Sequence, residues 1–314
     1  MYGKMVKGWC LALCLWLYGC LWGCGGSGES AAEGNGFYFD TEISIQITGK
    51  DPEELLEGCF SLCGQMETVF SRTREDSELY QVNHRSEDHV LLSEDLAAVV
   101  KTGIEFYELT GGKLDITVGP LCEIWDFTGE KNEPPSQEEI REALEKVDGS
   151  SIRLEGRILY FERQDTILDL GALAKGYISD KLKEYLKAAG VESALINLGG
   201  NVMTVGSKPD GSPWTVGIQK PFAPRGTYEK TVSVEDRAVI SAGTYERYYE
   251  WQGQQYHHIL DPDTGYPART EYAQATIISS SGLLGDALST SCLLLGREGA
   301  EALTGQFPDT ELIL

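Results

Sequence analysis

The chain has 314 residues, 41% of them hydrophobic and 24% charged, with 26 Lys plus Arg against 49 Asp plus Glu and a formal net charge of −23. This is globular composition with enough apolar residues for a real core, and it excludes wholesale disorder, a collagen-like repeat and a multi-span membrane protein. So large an acidic excess also disfavours nucleic-acid binding, and it repels an anionic ligand unless a metal ion or backbone N–H groups offset it locally.

Taken in chain order, Lys4 and Lys7 precede an apolar run from Trp9 to Trp22. The run is too short for a membrane span and suits the core of a signal peptide. Leu21-Trp22-Gly23-Cys24 ends it, and Gly25-Gly26-Ser27-Gly28 follows. A Leu, a small residue and a Cys at this place resemble the lipobox of bacterial lipoproteins, so Cys24 is the expected lipidation site. Leu17-Tyr18-Gly19-Cys20 is a second match, and an ordinary cleaved secretory signal is the alternative. The expected organisation is a signal peptide over 1–23, a flexible tether over 24–36 and one domain over 37–314, placed outside the cytoplasm and lipid-anchored to the cell membrane.

Within the domain, alternation predicts a strand from Phe37 to Thr48. Asp51-Pro52-Glu53-Glu54 starts a helix that runs to about Phe70, with Asp51 as its acid cap. Cys59 and Cys63 share one face of it and read as small core residues. Ser93 caps a second helix that ends at Gly111-Gly112. Gln137 to Val147 is a third. Ile152 to Phe161 reads as a hairpin, and Ile167 to Leu170 as a short buried strand running into a helix that ends near Gly190. Ser193 to Leu198 is a strand ending at Gly199-Gly200-Asn201, and a hairpin follows around Pro209-Asp210-Gly211, with Trp214 to Gln219 as its return strand. Further strands are expected near Lys230–Val234, Ala238–Ser241, Tyr256–Leu260 and Ala273–Ser279. A last helix spans Gly285 to Leu295, stopped by Gly296. The order predicts one α+β domain, bilobal in outline, with mostly antiparallel sheets flanked by helices.

Three segments carry candidate chemistry. Asp169 to Lys175 passes from a strand through Gly-Ala to a helix N-terminus, which is either an anion site or a packed junction. His257-His258 ends a strand before the acidic turn Asp261-Pro262-Asp263-Thr264-Gly265, so it supplies a base near neutral pH or simply a loop. Asp286 and Thr290 lie one helical turn apart, and a carboxylate and a hydroxyl on one face suit a hard cation such as Mg2+, or else a helix dipole and a back-bonded Thr. Taken together, the three suggest phosphoryl chemistry on a metal-bound nucleotide.

At these residues the chain closely resembles the ApbE-like FAD:protein FMN transferases. The matching stretches keep the family's order: Phe70-Ser71-Arg72 with Asp76-Ser77-Glu78-Leu79 and Asn83; Gly112 to Leu121; Asp169 to Tyr177; Asn197 to Asn201; Trp214 to Pro221; His258 to Pro267; and Asp286 to Thr290. The resemblance covers the chain from about Phe37 onward. It implies transfer of FMN from FAD to a protein threonine with release of AMP, in the presence of Mg2+. It further implies Mg2+ held by Asp286, Thr290 and the backbone carbonyl of Ala172. Asp169, Lys175, Lys113, Leu114 and Asp115 then contact the flavin nucleotide, Leu260 lines the same site, and Asn83 lies in a stretch that approaches the nucleotide. His258 matches the residue proposed to deprotonate the acceptor threonine. The implied partner is an extracytoplasmic electron-transfer protein carrying a threonine motif.

Departures from the pattern are specific. Phe39-Asp40-Thr41 stands in place of Met-Gly-Thr near the flavin, Thr73 in place of an aromatic, Ser241-Ala242-Gly243 in place of Thr-Ser-Gly, and Ser289 where some members have a second Asp. The sequence reaches Leu314 inside an apparent strand, before the further strand pair that the resemblance implies, so an exposed sheet edge is expected there. A Mg2+-dependent FAD pyrophosphatase giving FMN and AMP, and a non-catalytic FAD-binding lipoprotein, are the alternative readings of the same site.

Overall fold

A computed structural model describes residues 30–127, 129 and 132–314. The expected signal peptide and Cys24 lie outside the described residues. Two strands, β1 (Ser30–Tyr38) and β2 (Thr41–Gly49), replace the single expected one and form a hairpin. Its turn is Phe39-Asp40, with φ of 56° and 55°, the paired left-handed geometry that matches strand twist. Ser30 to Gly36 is therefore strand, not tether, because pairing with β2 satisfies its backbone.

The alternation read in β2 holds: Ile43, Ile45 and Ile47 are fully buried. Helix α1 (Pro52–Phe70) buries Leu56, Cys59, Cys63, Met66 and Phe70 along one stripe. Both cysteines are free thiols of the core. Asp51 sits at φ 48° and its side chain makes no cap bond, so the expected acid cap is absent and Pro52 alone marks the helix start. Then come α2 (Glu78–Asn83), β3 (His89–Leu91), α3 (Glu94–Leu109), α4 (Gly119–Trp125) and α5 (Gln137–Leu144). Ser93 accepts from Leu96 N at 3.1 Å, as its cap reading requires. Strands β4 (Ile152–Glu155) and β5 (Ile158–Phe161) form the expected hairpin, extended by β3. Ile167 makes only an isolated parallel bridge to Val118, so Ile167–Leu170 is not a strand.

Helix α6 (Ala174–Ala188) leads to β6 (Ser193–Leu198) and β7 (Asn201–Gly206), then β8 (Trp214–Gln219), β9 (Tyr228–Val234), β10 (Ala238–Gly243), β11 (Tyr248–Trp251), β12 (Gln254–His257), β13 (Gln274–Ser279), α7 (Gly282–Thr304) and β14 (Glu311–Ile313). Seven of the described strands form one sheet in the order β1-β2-β6-β7-β10-β13-β14, with every pairing antiparallel. The expected α+β class with mostly antiparallel sheets is what the protein adopts. The core lies between this sheet and α1, α3, α6 and α7: Ile196, Met203, Ile240 and Ile277 join the helices' apolar stripes there. Neighbouring residues Leu195, Val202, Val239 and Ile278 point to the other face, as strand periodicity demands.

That second face corrects a topology. β8 does not return along β7; it pairs with β9 in a separate ribbon. The ribbon lays Trp214, Val216 and Val234 over the sheet's outer apolar side chains. A smaller core gathers Leu121, Trp125, Ile140 and Ala143 of α4 and α5 with Leu260, Tyr249 and Tyr256 beside the β11–β12 ribbon. β12 ends at His257, and Leu260 makes only a bridge to Pro267. Gly296 breaks α7 as expected, at φ 67°, but helix resumes after it to Thr304. β14 pairs with β13 at the end of the sheet. No described helix is long and apolar enough to cross a membrane.

Candidate active site

The site is organised by the crossing of α6 and α7. Gly176 and Gly282 make it possible. A Cβ on Gly176 would lie 2.2 Å from the Gly282 carbonyl oxygen and 2.7 Å from Asp286 Cβ, distances that only a shift of backbone could relieve. Asp180 of α6 fixes the start of α7: its carboxylate accepts from Gly282 N at 2.6 Å, Leu283 N at 3.0 Å and Ser281 Oγ at 2.8 Å. Two of the orphan backbone donors at that helix end, and the Ser281 hydroxyl, are thereby satisfied. Burial raises the Asp180 carboxyl above its ordinary range, against the opposing pull of those hydrogen bonds.

Asp286 is held in the same crossing. Its Oδ2 accepts from Gly176 N at 2.8 Å and its Oδ1 from Asn201 Nδ2 at 3.0 Å. Gly176 is the third residue of α6, so its N–H is one of the donors at the helix start that lack an intrahelical partner. Asp286 satisfies it, and Ala172, in the turn before the helix, keeps a carbonyl to which no described hydrogen bond is made. Thr290 lies one turn beyond Asp286 on α7, half-buried. A carboxylate, a turn carbonyl outside the helix and a hydroxyl form a hard-oxygen donor set, the kind Mg2+ takes when substrate phosphates and water complete its shell. The three expected metal residues thus fit the group chemically. Among the described residues no cluster of three or more His, Cys, Asp or Glu could hold a metal.

The loop before α6 is braced from several sides. Asp169 Oδ1 accepts from Gly171 N at 2.9 Å, its Oδ2 from Arg72 Nε at 3.0 Å, and its own N–H donates to Ile116 O at 2.8 Å. The Asn83 amide pairs with both backbone groups of Leu168, at 2.9 Å and 2.8 Å. Asn83 therefore positions the Leu168–Asp169 backbone; both ends of its side chain are engaged there. Asp115 is buried, and its two oxygens accept from Thr117 N, Thr117 Oγ1 and Gly149 N at 2.7, 2.7 and 2.9 Å. Its side chain thus holds the loop together. Burial raises its carboxyl despite these bonds. Leu114 is buried with its N–H on Thr110 Oγ1 at 2.9 Å. Lys113 Nζ bridges Asp261 at 2.9 Å and Asp263 at 2.7 Å, which ties the first glycine-rich stretch to the acidic turn after His258. Leu260 is buried at the base of that turn.

His258 is half-buried at the end of β12. Its N–H donates to Arg247 O at 3.1 Å, and its Nδ1 lies 3.3 Å from the same oxygen. The carbonyl can only accept, so this contact assigns the proton to Nδ1 and leaves Nε2 unprotonated. Burial, with the nearby cations of Arg247 and Lys175, pushes the imidazole down to about 3. Lys175 and Gly176 are consecutive, so the first turn of α6 touches the histidine side and the Asp286 side of one site. Lys175 and Arg247 make no ion pair among the described residues. Both place positive charge near a neutral imidazole, in a chain of net charge −23.

Sequence reasoning named His258, Lys175, Asp169, Ala172, Asp286 and Thr290, and the structure draws them toward the start of α6. It passed over Asp180 and the steric role of Gly176, and it gave Asn201 and Arg72 no function although both lie in quoted motifs. Arg247 carried no signal at all, because its backbone carbonyl, which any residue would supply, does the orienting.

Fold and site together define an α+β protein whose α6–α7 crossing sets a buried carboxylate beside the helix turn that adjoins a histidine. Comparison with known proteins places the chain in a family. The ApbE family model matches residues 39–314, and the chain belongs to that family. It is 32% identical over 296 residues to the FAD:protein FMN transferase of Treponema pallidum, covering 87% of this chain and 81% of the relative. Identity to a Klebsiella pneumoniae protein of the same name is 33% over 274 residues, covering 86% and 84%. The solved flavin transferase ApbE of Vibrio cholerae superposes with a TM-score of 0.82 at 26% identity, covering 90% of this chain and 93% of that one.

Proposed function

We propose that this protein is an FAD:protein FMN transferase that moves FMN from FAD to a threonine hydroxyl of an extracytoplasmic acceptor protein and releases AMP. One observation carries the reading most directly: Asp286 accepts from Gly176 N at the start of α6, which brings the carboxylate of α7 to the same helix turn whose Lys175 acts on His258. In the reaction the threonine Oγ attacks the FMN-side phosphorus. The bond from that phosphorus to the bridging oxygen breaks, and AMP leaves with that oxygen. Threonine is a poor nucleophile until its proton is removed, and Nε2 of His258 accepts that proton. Lys175 and Arg247 bind the diphosphate, and their charge is offset when they do so, which removes two of the causes that lower the His258 imidazole while burial continues to act. Asp286, Thr290 and the Ala172 carbonyl would hold Mg2+, which supplies neutralisation of charge on the diphosphate and the departing phosphate. A lipid on Cys24 would place the reaction at the outer face of the cell membrane.

The test uses the full chain in detergent with FAD, Mg2+ and a threonine-bearing acceptor domain, read by intact-protein mass and AMP release. The expected result is an acceptor heavier by one FMN with stoichiometric AMP. His258→Ala should lower the rate by about 10²–10⁴ while FAD still binds. AMP with free FMN and an unlabelled acceptor would replace the reading with a pyrophosphatase. FAD bound and unchanged would leave a binding protein.

A further inference from the structure

The loop between β8 and β9 presents an aromatic side chain to solvent in a fixed pose. Phe222 is 55% exposed and sits at φ 59°, a conformation that bulky residues adopt only at a cost. The loop is nevertheless rigidly held. Gln219 Nε2 donates to the carbonyls of Lys220, Ala223 and Pro224, each at 3.1 Å, and its Oε1 accepts from Gly226 N at 3.2 Å. Lys220 N also donates to Thr227 O at 2.8 Å. A loop stapled in this way keeps Phe222 outside the core although nothing polar holds the ring there.

The ring makes edge contacts with Tyr245, centroids 5.9 Å apart, and with Tyr248, 6.0 Å. Tyr248 is itself 44% exposed. It pairs across the ribbon with His257 and directly follows Arg247, whose carbonyl orients His258. The aromatic patch therefore adjoins the base in the chain and in space. Its charge is also unusual for this molecule. Lys220 and Arg225 in the loop make no ion pair among the described residues. Glu229 and Glu246 face Tyr245 without engaging them.

The geometry points to the Phe222–Tyr248 patch as the docking surface for the acceptor protein, taking an extended segment next to the reactive threonine that carries carboxylates. The inference rests on the transferase reading. A protein hydroxyl has to reach Nε2 of His258, so the acceptor must cover what borders that residue. An exposed, preorganised aromatic pair flanked by uncompensated cations offers such a segment a low-entropy anchor and a complementary field.

The experiment measures FMN transfer by the full chain to a threonine-bearing acceptor domain, in native form and with the carboxylates flanking its threonine changed to amides. Phe222→Ala should raise the acceptor KM by about tenfold, with FAD affinity from flavin fluorescence within twofold of wild type. Phe222→Trp should restore it. The Lys220→Glu and Arg225→Glu double variant should raise KM for the native acceptor and not for the amide form. An acceptor KM for Phe222→Ala equal to wild type, with wild type active, overturns the docking surface and leaves the transferase reading intact. A wild type that labels no acceptor while hydrolysing FAD overturns both.

Discussion

His258 is neutral in the free protein because burial and two cations oppose its protonation, with its value near 3 against an ordinary 6.5. The sign of the stability effect follows. As pH falls below 6.5 the unfolded chain takes up a proton that the folded chain refuses, so stability drops progressively towards pH 3 and is fully retained above 6.5. His257, also lowered by burial, acts in the same direction. Thermal unfolding between pH 7 and 4 should therefore show a shallower acid loss for His258→Ala than for wild type; parallel curves would mean that His258 is solvated. Asp286 has a double role, since it accepts from Gly176 N and Asn201 Nδ2 and belongs to the proposed metal site. Asp286→Ala should lose about 1–3 kcal/mol of stability by orphaning those donors and at least about a hundredfold in Mg2+-dependent AMP release. Asp286→Asn, which keeps an acceptor but no charge, should recover much of the stability and none of the activity. Recovery of both would remove Asp286 from the metal site.

The element that decides the site is the α6–α7 contact. Gly176→Ala should cost about 1–3 kcal/mol through overpacking and weaken Mg2+ dependence, because the helices must separate where Asp286 meets the start of α6. Chemical denaturation and a Mg2+ titration of AMP release would check both, and a variant as stable and active as wild type would show that the crossing tolerates a methyl group. Helices α3 and α5, with amphipathic stripes and serine caps, and α1, with its stripe and Pro52 at its start, were legible in the sequence, as were β2 and β6 by alternation and their flanking glycines. Short α2 and α4 were not, since six or seven residues hold too few turns to show a period. Strand partners were also hidden. Trp214 to Gln219 reads equally well as the return of a hairpin or as half of a separate ribbon, because both bury alternate residues.

At the scale of the whole molecule, a net charge of −23 surrounds a site meant for a dinucleotide anion. With Mg2+ saturating, FAD association measured by stopped-flow flavin fluorescence should speed up severalfold as salt rises, since screening removes a repulsive field. A slowing instead would show that Lys175 and Arg247 dominate the approach path. The same contrast of acidic bulk and local cations recurs at the Phe222 loop, where the proposed acceptor segment would meet positive charge on an otherwise negative protein.

By itself the sequence determined the family and the class of chemistry, and it named the candidate residues for it. The carboxylate, the hydroxyl, the histidine and the glycine-rich helix start are residue types whose capabilities do not depend on context, and their order matched one family. Only the tertiary structure decided how they are used. The docking of Asp286 on the start of α6, the tautomer of His258 and the internal roles of Asn83 and Asp115 all depend on hydrogen bonds between segments separated in sequence. Each such bond is made by a backbone group or a common side chain, so composition and spacing leave no trace of it until the chain has folded.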